Sequence, residues 1–184
     1  MKRKRILAMI LAVASCLSLA ISASAANTVA RKATDFRDYD RTAWYAEAVS
    51  AAVDNGLLYG KSATVIDPNG DMTRAEMAAI INRSFGCYKS ADVSQYKDVA
   101  KSKWYYKDVA MAVQMGTYNG RSASSMAPDA PISRQEAMTV VARALELDYD
   151  AYAKTDLTAF SDRSEISNWA MPYVRAMVGA DYIH

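Results

Sequence analysis

Two arginines stand where helices should begin. In "DMTRAEMAAIINR", residues 71–83, Arg74 falls in the first turn, and in "PISRQEAMTVVAR", residues 131–143, Arg134 takes the same slot. A helix N-terminus exposes unpaired N–H groups and about half a positive charge. A guanidinium there costs about 0.3–1 kcal/mol unless something negative meets it. Pairing with Glu76 or a nearby aspartate is one answer. The other is that helix end and guanidinium together hold a carboxylate or phosphate. Recurrence of the arginine beside Trp44 and Trp104, and Asp38 and Asp98, favours the second.

The neighbouring residues admit plainer uses. Trp44, Trp104 and Trp169 fall at the front of predicted helices that need an inward aromatic, so core packing is the first expectation for most of each ring. Tyr45, Tyr105 and Tyr106 either line a sugar-binding groove or sit half-buried. Asp38, Asp98 and Asp162 suit helix or turn caps, a use compatible with ligand contact.

These residues are positioned by an internal repeat with a period of 60. Between residues 36 and 83, 14 of 48 positions are identical to those 60 residues on, without a gap; typical usage would give about three. Phe36-Arg37-Asp38 meets Tyr96-Lys97-Asp98, Trp44-Tyr45 meets Trp104-Tyr105, and Arg74, Glu76 and Arg83 meet Arg134, Glu136 and Arg143. Gly56, Gly60 and Pro68 meet Gly116, Gly120 and Pro128. A third copy opens with Phe160, Asp162 and Trp169 and reaches His184 without a counterpart of the arginine segment.

Each full unit reads as helix, loop, helix. The first helix, about 43–55, puts Val49, Ala52 and Val53 on one face and ends at Gly56, which accepts the left-handed conformation. Gly60, Pro68 and Gly70 punctuate the loop. Thr73 and Glu76 form a capping box for the second helix, Met72 and Met77 a hydrophobic staple, and Met77, Ile80 and Ile81 its buried face. Ser133 and Glu136 repeat the box. In the third copy Pro172 is tolerable only near a helix start. No run shows sustained strand alternation, so the expectation is an all-α chain in which neighbouring copies pack to bury faces that one unit cannot.

The first 25 residues read as a secretory signal peptide: Lys2-Arg3-Lys4-Arg5, an apolar run from Ile6 to Ile21, and Ala23-Ser24-Ala25 for cleavage. The apolar run is short for a membrane span. Val13-Ala14-Ser15-Cys16 resembles a bacterial lipobox, a secondary alternative, because the residues after Cys16 stay apolar. Without the leader's four basic residues the chain carries 18 basic against 20 acidic side chains. Nothing then argues for nucleic acid as a partner. Cys87 would be the only cysteine left, which excludes an internal disulfide; it reads as a small residue at a helix end.

The pattern Phe36-x-Asp38, Trp44-Tyr45, Ala48-Val49, Gly56, Gly60, Pro68, Thr73-Arg74-Ala75-Glu76 resembles the S-layer homology domain, over residues 36–184. The resemblance implies tandem helix-loop-helix repeats packed into a pseudo-threefold helical unit. Its grooves would bind secondary cell-wall polysaccharide, often through a pyruvate ketal whose carboxylate would suit an arginine at a helix start. By position, Arg74 and Arg134 become the anion contacts, and Asp38, Asp98, Trp44 and Trp104 shape the grooves, with Glu76 and Glu136 beside them. The implied layout is a signal peptide at 1–25, a linker at 26–35, repeats at 36–90 and 91–150, and the first half of a third at 151–184. The second copy departs from the motif with Ser133-Arg134-Gln135-Glu136, and the third lacks it. The missing half would leave part of the stripe Met171, Val174, Met177 and Val178 uncovered, favouring self-association.

Other classes of function fit less well. The sole histidine is His184, and no Ser/His/Asp or Cys/His constellation can be built, so no enzyme and no cofactor is expected. "DPNGDMTRAEMA" starts like an EF-hand loop, but its glycine is fourth rather than sixth and its twelfth residue is Ala78 rather than Glu. A protein-interaction or self-assembly module with this fold and no glycan binding is the alternative to a secreted wall-anchoring module held at the cell surface.

Overall fold

The computed structural model describes residues 31–184. The signal peptide read at 1–25, the lipobox at Cys16 and the linker up to residue 30 lie outside the described residues. Among the described residues there are five α-helices and no strand: α1 (Ala46–Asp54), α2 (Arg74–Ser84), α3 (Tyr106–Gln114), α4 (Arg134–Ala144) and α5 (Met171–Gly179). The all-α expectation holds. None of these helices is long and apolar enough to cross a membrane. The described residues form two compact units, residues 31–70 and Asp71–His184.

In the first unit Ala33, Phe36, Val53 and Ile66 make a small core. α1 starts three residues later than its sequence pattern suggests. Backbone turns from Asp40 to Ala46 precede it, and the Asp40 carboxylate takes both the N–H and the hydroxyl of Thr42 there, at 2.8 and 2.7 Å. The helix stops as expected, with Gly56 at φ +67°. Gly60 has φ +82°, and a Cβ there would lie 2.6 Å from the Phe36 ring and 2.7 Å from the Val65 carbonyl oxygen. Gly60→Ala is therefore expected to destabilise this unit by roughly 1–3 kcal/mol. A urea titration followed by circular dichroism checks this, and a midpoint equal to wild type would contradict it.

In the second unit both capping boxes are formed. The Thr73 hydroxyl accepts the Glu76 N–H at 3.2 Å while the Glu76 carboxylate accepts the Thr73 N–H at 2.8 Å. Ser133 and Glu136 repeat this at 3.3 and 2.8 Å. α2 packs against α3, and α4 against α5. The second helix of one sequence repeat thus pairs with the first helix of the next, the inter-copy packing expected of units that cannot bury their own faces. Ala78 of α2 and Ala112 of α3 are fully buried, so small side chains line this contact. Buried Asn82 adds a polar latch, its amide donating to the Asp108 carbonyl at 2.8 Å.

The inward face of α2 differs from expectation. Ala75, Ala78, Ala79 and Ile81 are buried, whereas Met77 and Ile80 are half-buried. α5 places Pro172 in its first turn. Val174 and Met177 are buried and Met171 and Val178 half-buried, so the stripe, expected to be uncovered in part, is covered only in part. Half-buried Cys87 donates weakly to the Met111 carbonyl, 3.5 Å away.

Candidate functional site

Arg74 is buried, 5 % exposed, and its charge is met by a carboxylate from the other repeat rather than by Glu76. Its Nη1 donates to Glu136 Oε1 at 2.9 Å, its Nε to the Met126 carbonyl at 3.0 Å and its Nη2 to the Asn119 carbonyl at 3.3 Å. The Tyr118 ring lies 5.2 Å from the guanidinium, and the Tyr118 hydroxyl donates to the Arg74 carbonyl at 2.9 Å. Burial pushes that phenol well above its ordinary pKa. Arg74 and Glu136 are the two sequence-derived candidates that the fold brings together.

Glu136 is a hub. One oxygen caps Ser133 while the carboxylate also takes Arg121, whose Nη2 lies 3.1 Å from both oxygens. Burial works to raise the Glu136 pKa, but the Ser133 N–H and the guanidiniums of Arg74 and Arg121 outweigh it, and the group titrates below its ordinary value of 4.5. A carboxylate whose pKa is lower folded than unfolded stabilises the fold above its unfolded pKa, and that contribution is lost as pH falls through the folded value. The melting temperature is therefore expected to fall as pH drops below about 4.5. In Glu136→Gln the fall should be shallower from a lower starting point. Thermal scans between neutral and acidic pH test this, and an unchanged slope would contradict it.

A cleft of about 460 Å³ opens over this pair. Its walls include Arg74, Glu136, Tyr118, Arg121, Arg143 and Trp169. Three guanidiniums face one carboxylate, leaving a surplus of two positive charges. Arg143 is the cation with no carboxylate partner among the described residues. Its Nη2 donates to the Tyr173 hydroxyl at 3.0 Å and its carbon lies 4.8 Å from the Tyr173 ring centre, which holds the fork in place. Donors fixed this way in a concave wall suit an anionic group.

The aromatic assignment inverts. Trp44, Trp104 and Trp169 are 89, 61 and 51 % exposed, whereas Tyr45 and Tyr105 are buried. Each of the first two tryptophans meets its neighbouring tyrosine edge-on, at ring-centre separations of 5.8 and 5.4 Å. The inward aromatic is thus the tyrosine, and the core-packing expectation for the tryptophans is corrected. Tyr105 donates to Asp129 at 3.0 Å, and burial with that carboxylate pushes its pKa up to about 12.

Asp38 and Asp98 are neither helix caps nor cleft residues; they clasp distant loops. Asp38 accepts the N–H groups of Ile66 and Asp67 at 3.0 and 2.7 Å. Asp98 accepts those of Met126 and Ala127 at 2.9 and 2.7 Å and the Ser125 hydroxyl at 2.7 Å. Burial opposes the Asp98 charge, but these donors hold its pKa below the ordinary carboxylate range. Arg134 lies on a different surface, its Nη1 3.1 Å from Asp162, in an exposed pair at the edge of a second, smaller groove. Trp44 stands in the first unit and Trp104 outside the cleft wall. Glu76 serves its capping box.

Sequence reasoning passed over Arg121 and Arg143 as site residues. Both carried a signal, since Lys61 and Arg121 follow the recurrent Gly60 and Gly120, and Arg83 and Arg143 are a recurrent pair.

Residues 35–78 and 95–138 match the S-layer homology domain. The chain is 33 % identical over 166 residues to the surface-layer 125 kDa protein of Lysinibacillus sphaericus, covering 90 % of this chain and 14 % of that protein. It is 22 % identical over 166 residues to an S-layer protein of Bacillus thuringiensis subsp. finitimus, covering 90 and 20 %. Over 175 residues it is 27 % identical to an endoglucanase of Bacillus sp. (strain KSM-635), covering 94 and 18 %. The chain spans a fifth or less of the length of these relatives.

Proposed function

Taking as its premise that the chain carries two S-layer homology repeats, at residues 35–78 and 95–138, we propose that it is a secreted module that anchors non-covalently to the bacterial cell wall by holding an anionic secondary cell-wall polysaccharide. The surplus positive charge of the cleft carries this reading: Arg143 is positioned, half-buried and without a counter-ion among the described residues. A ligand carboxylate, such as that of a pyruvate ketal, would take up this charge through paired N–H donors. Trp169, half-exposed at the rim, offers a flat face to a sugar ring. Likeness to surface-layer proteins agrees with display outside the cell, as does the leader read at residues 1–25.

The role is adhesive rather than catalytic. Glycoside hydrolysis generally works with a pair of carboxylic acids across the scissile bond, and this cleft's wall contributes Glu136 alone, tied to two arginines. Binding to purified sacculi, before and after chemical removal of pyruvate, tests the reading. Retention should fall at least about tenfold on removal, the loss of one charge-assisted contact. Equal retention would reject the acidic-sugar assignment.

A further inference from the structure

The smaller groove holds about 200 Å³ between the start of α4 and the face of α5. Its floor is apolar, with Met138, Phe160, Val174 and Val178, and its rim carries Arg134 and Asp162. The same chain shows what fits such a groove. At the equivalent place on α2 and α3, the segment from Met126 to Pro131 lies across the helix start. Met126 is 1 % exposed, and its N–H and that of Ala127 go to Asp98. Its carbonyl accepts from Arg74 Nε, the Pro128 carbonyl from the Ala75 N–H at 2.9 Å, and the Ala130 carbonyl from the Arg74 N–H at 3.0 Å. The first unit makes the same clasp between Asp38 and Ile66-Asp67, again followed by a proline.

The corresponding partners are present around α4 and α5, where, among the described residues, the side chains of Arg134 and Asp162 meet only each other. Asp162 stands for Asp98, Arg134 for Arg74 and Gln135 for Ala75. Among the described residues, Asp162's side chain meets only Arg134, and the N–H groups of Arg134 and Gln135 donate to nothing. We infer that this groove receives an extended peptide segment in which an apolar residue is followed by a small residue and a proline. The apolar side chain fills the floor as Met126 fills its own. Two successive N–H groups go to Asp162, one carbonyl takes the Arg134 guanidinium, and later carbonyls satisfy the start of α4. Backbone pairing supplies affinity and the apolar pocket supplies selection, the division of labour of extended-peptide recognition.

The test uses the full chain and a fluorescent peptide with the sequence SSMAPDAPI, that of residues 124–132. Anisotropy should rise to saturation, with amide shifts in the labelled protein clustering at Arg134, Phe160, Asp162 and Val174. Asp162→Ala, at an exposed position and so without effect on folding, should weaken binding about tenfold. Val178→Trp should abolish it by filling the floor, and a scrambled peptide should not bind. Absence of saturation, equal affinity in Asp162→Ala, or shifts clustering at the larger cleft would overturn the proposal. Sedimentation showing that copies of the chain occupy the groove and the peptide cannot displace them would overturn it too.

Discussion

Arg74→Ala is expected to cost about 3–5 kcal/mol of folding free energy, because it empties a buried site where one guanidinium ties together three segments. The carbonyls of Met126 and Asn119 lose the donors that Arg74 supplies, and Glu136 keeps the Ser133 N–H but only the exposed Arg121 as a cation. For a chain of this size the melting temperature should fall by about 10 °C. Arg74→Lys should land between, since an ammonium cannot reproduce the fork. Thermal unfolding followed by circular dichroism decides the matter; a melting point within about 2 °C of wild type would show that the pair contributes little. If the loss is as large as expected, weakened wall binding in this variant reports an unfolded cleft rather than a missing ligand contact.

Arg143→Gln separates those effects. Its guanidinium donates to a hydroxyl and to the Thr117 carbonyl, at 3.0 and 3.4 Å, and carries no carboxylate pair whose rupture would strand a buried charge. Its loss should lower the melting point far less than Arg74→Ala does. Sacculus binding, by contrast, should weaken roughly 10- to 100-fold, the range for removing a hydrogen bond to a charged group. Added salt should narrow the gap between variant and wild type, because screening weakens the same attraction. Undiminished retention of Arg143→Gln on sacculi would remove this arginine from the binding cleft's chemistry.

What could be read from the residues alone followed the range of each interaction. The capping boxes span three positions, so Thr73 and Glu76, or Ser133 and Glu136, announce themselves by type and spacing. The repeat revealed which residues recur, and Gly56 ends α1 where its pattern stops. Contacts closed by the fold were hidden. Arg74 meets Glu136 across 62 positions and Asp98 meets Met126 across 28, and no local pattern distinguishes such an anion from a nearer one. The tryptophans failed for a different reason. Adjacent Trp-Tyr pairs cannot both point inward, and the backbone turns that precede α1 and α3 leave Trp44 and Trp104 ahead of their helices, with Tyr45 and Tyr105 turned to the interior. Hydrophobicity ranks the larger ring first; backbone direction chose the smaller.

Because α2 mates with α3 and α4 with α5, the borders visible in the text of the chain are the wrong places to divide it. A protein engineer trimming after residue 90 or 150 would saw each helical pair in two and leave both fragments with raw apolar sides. A transplantable piece would instead open at Asp71, where the second compact unit begins. Gene duplication and physical assembly are thus out of phase along this polypeptide, and swapping modules between proteins should follow the second rhythm.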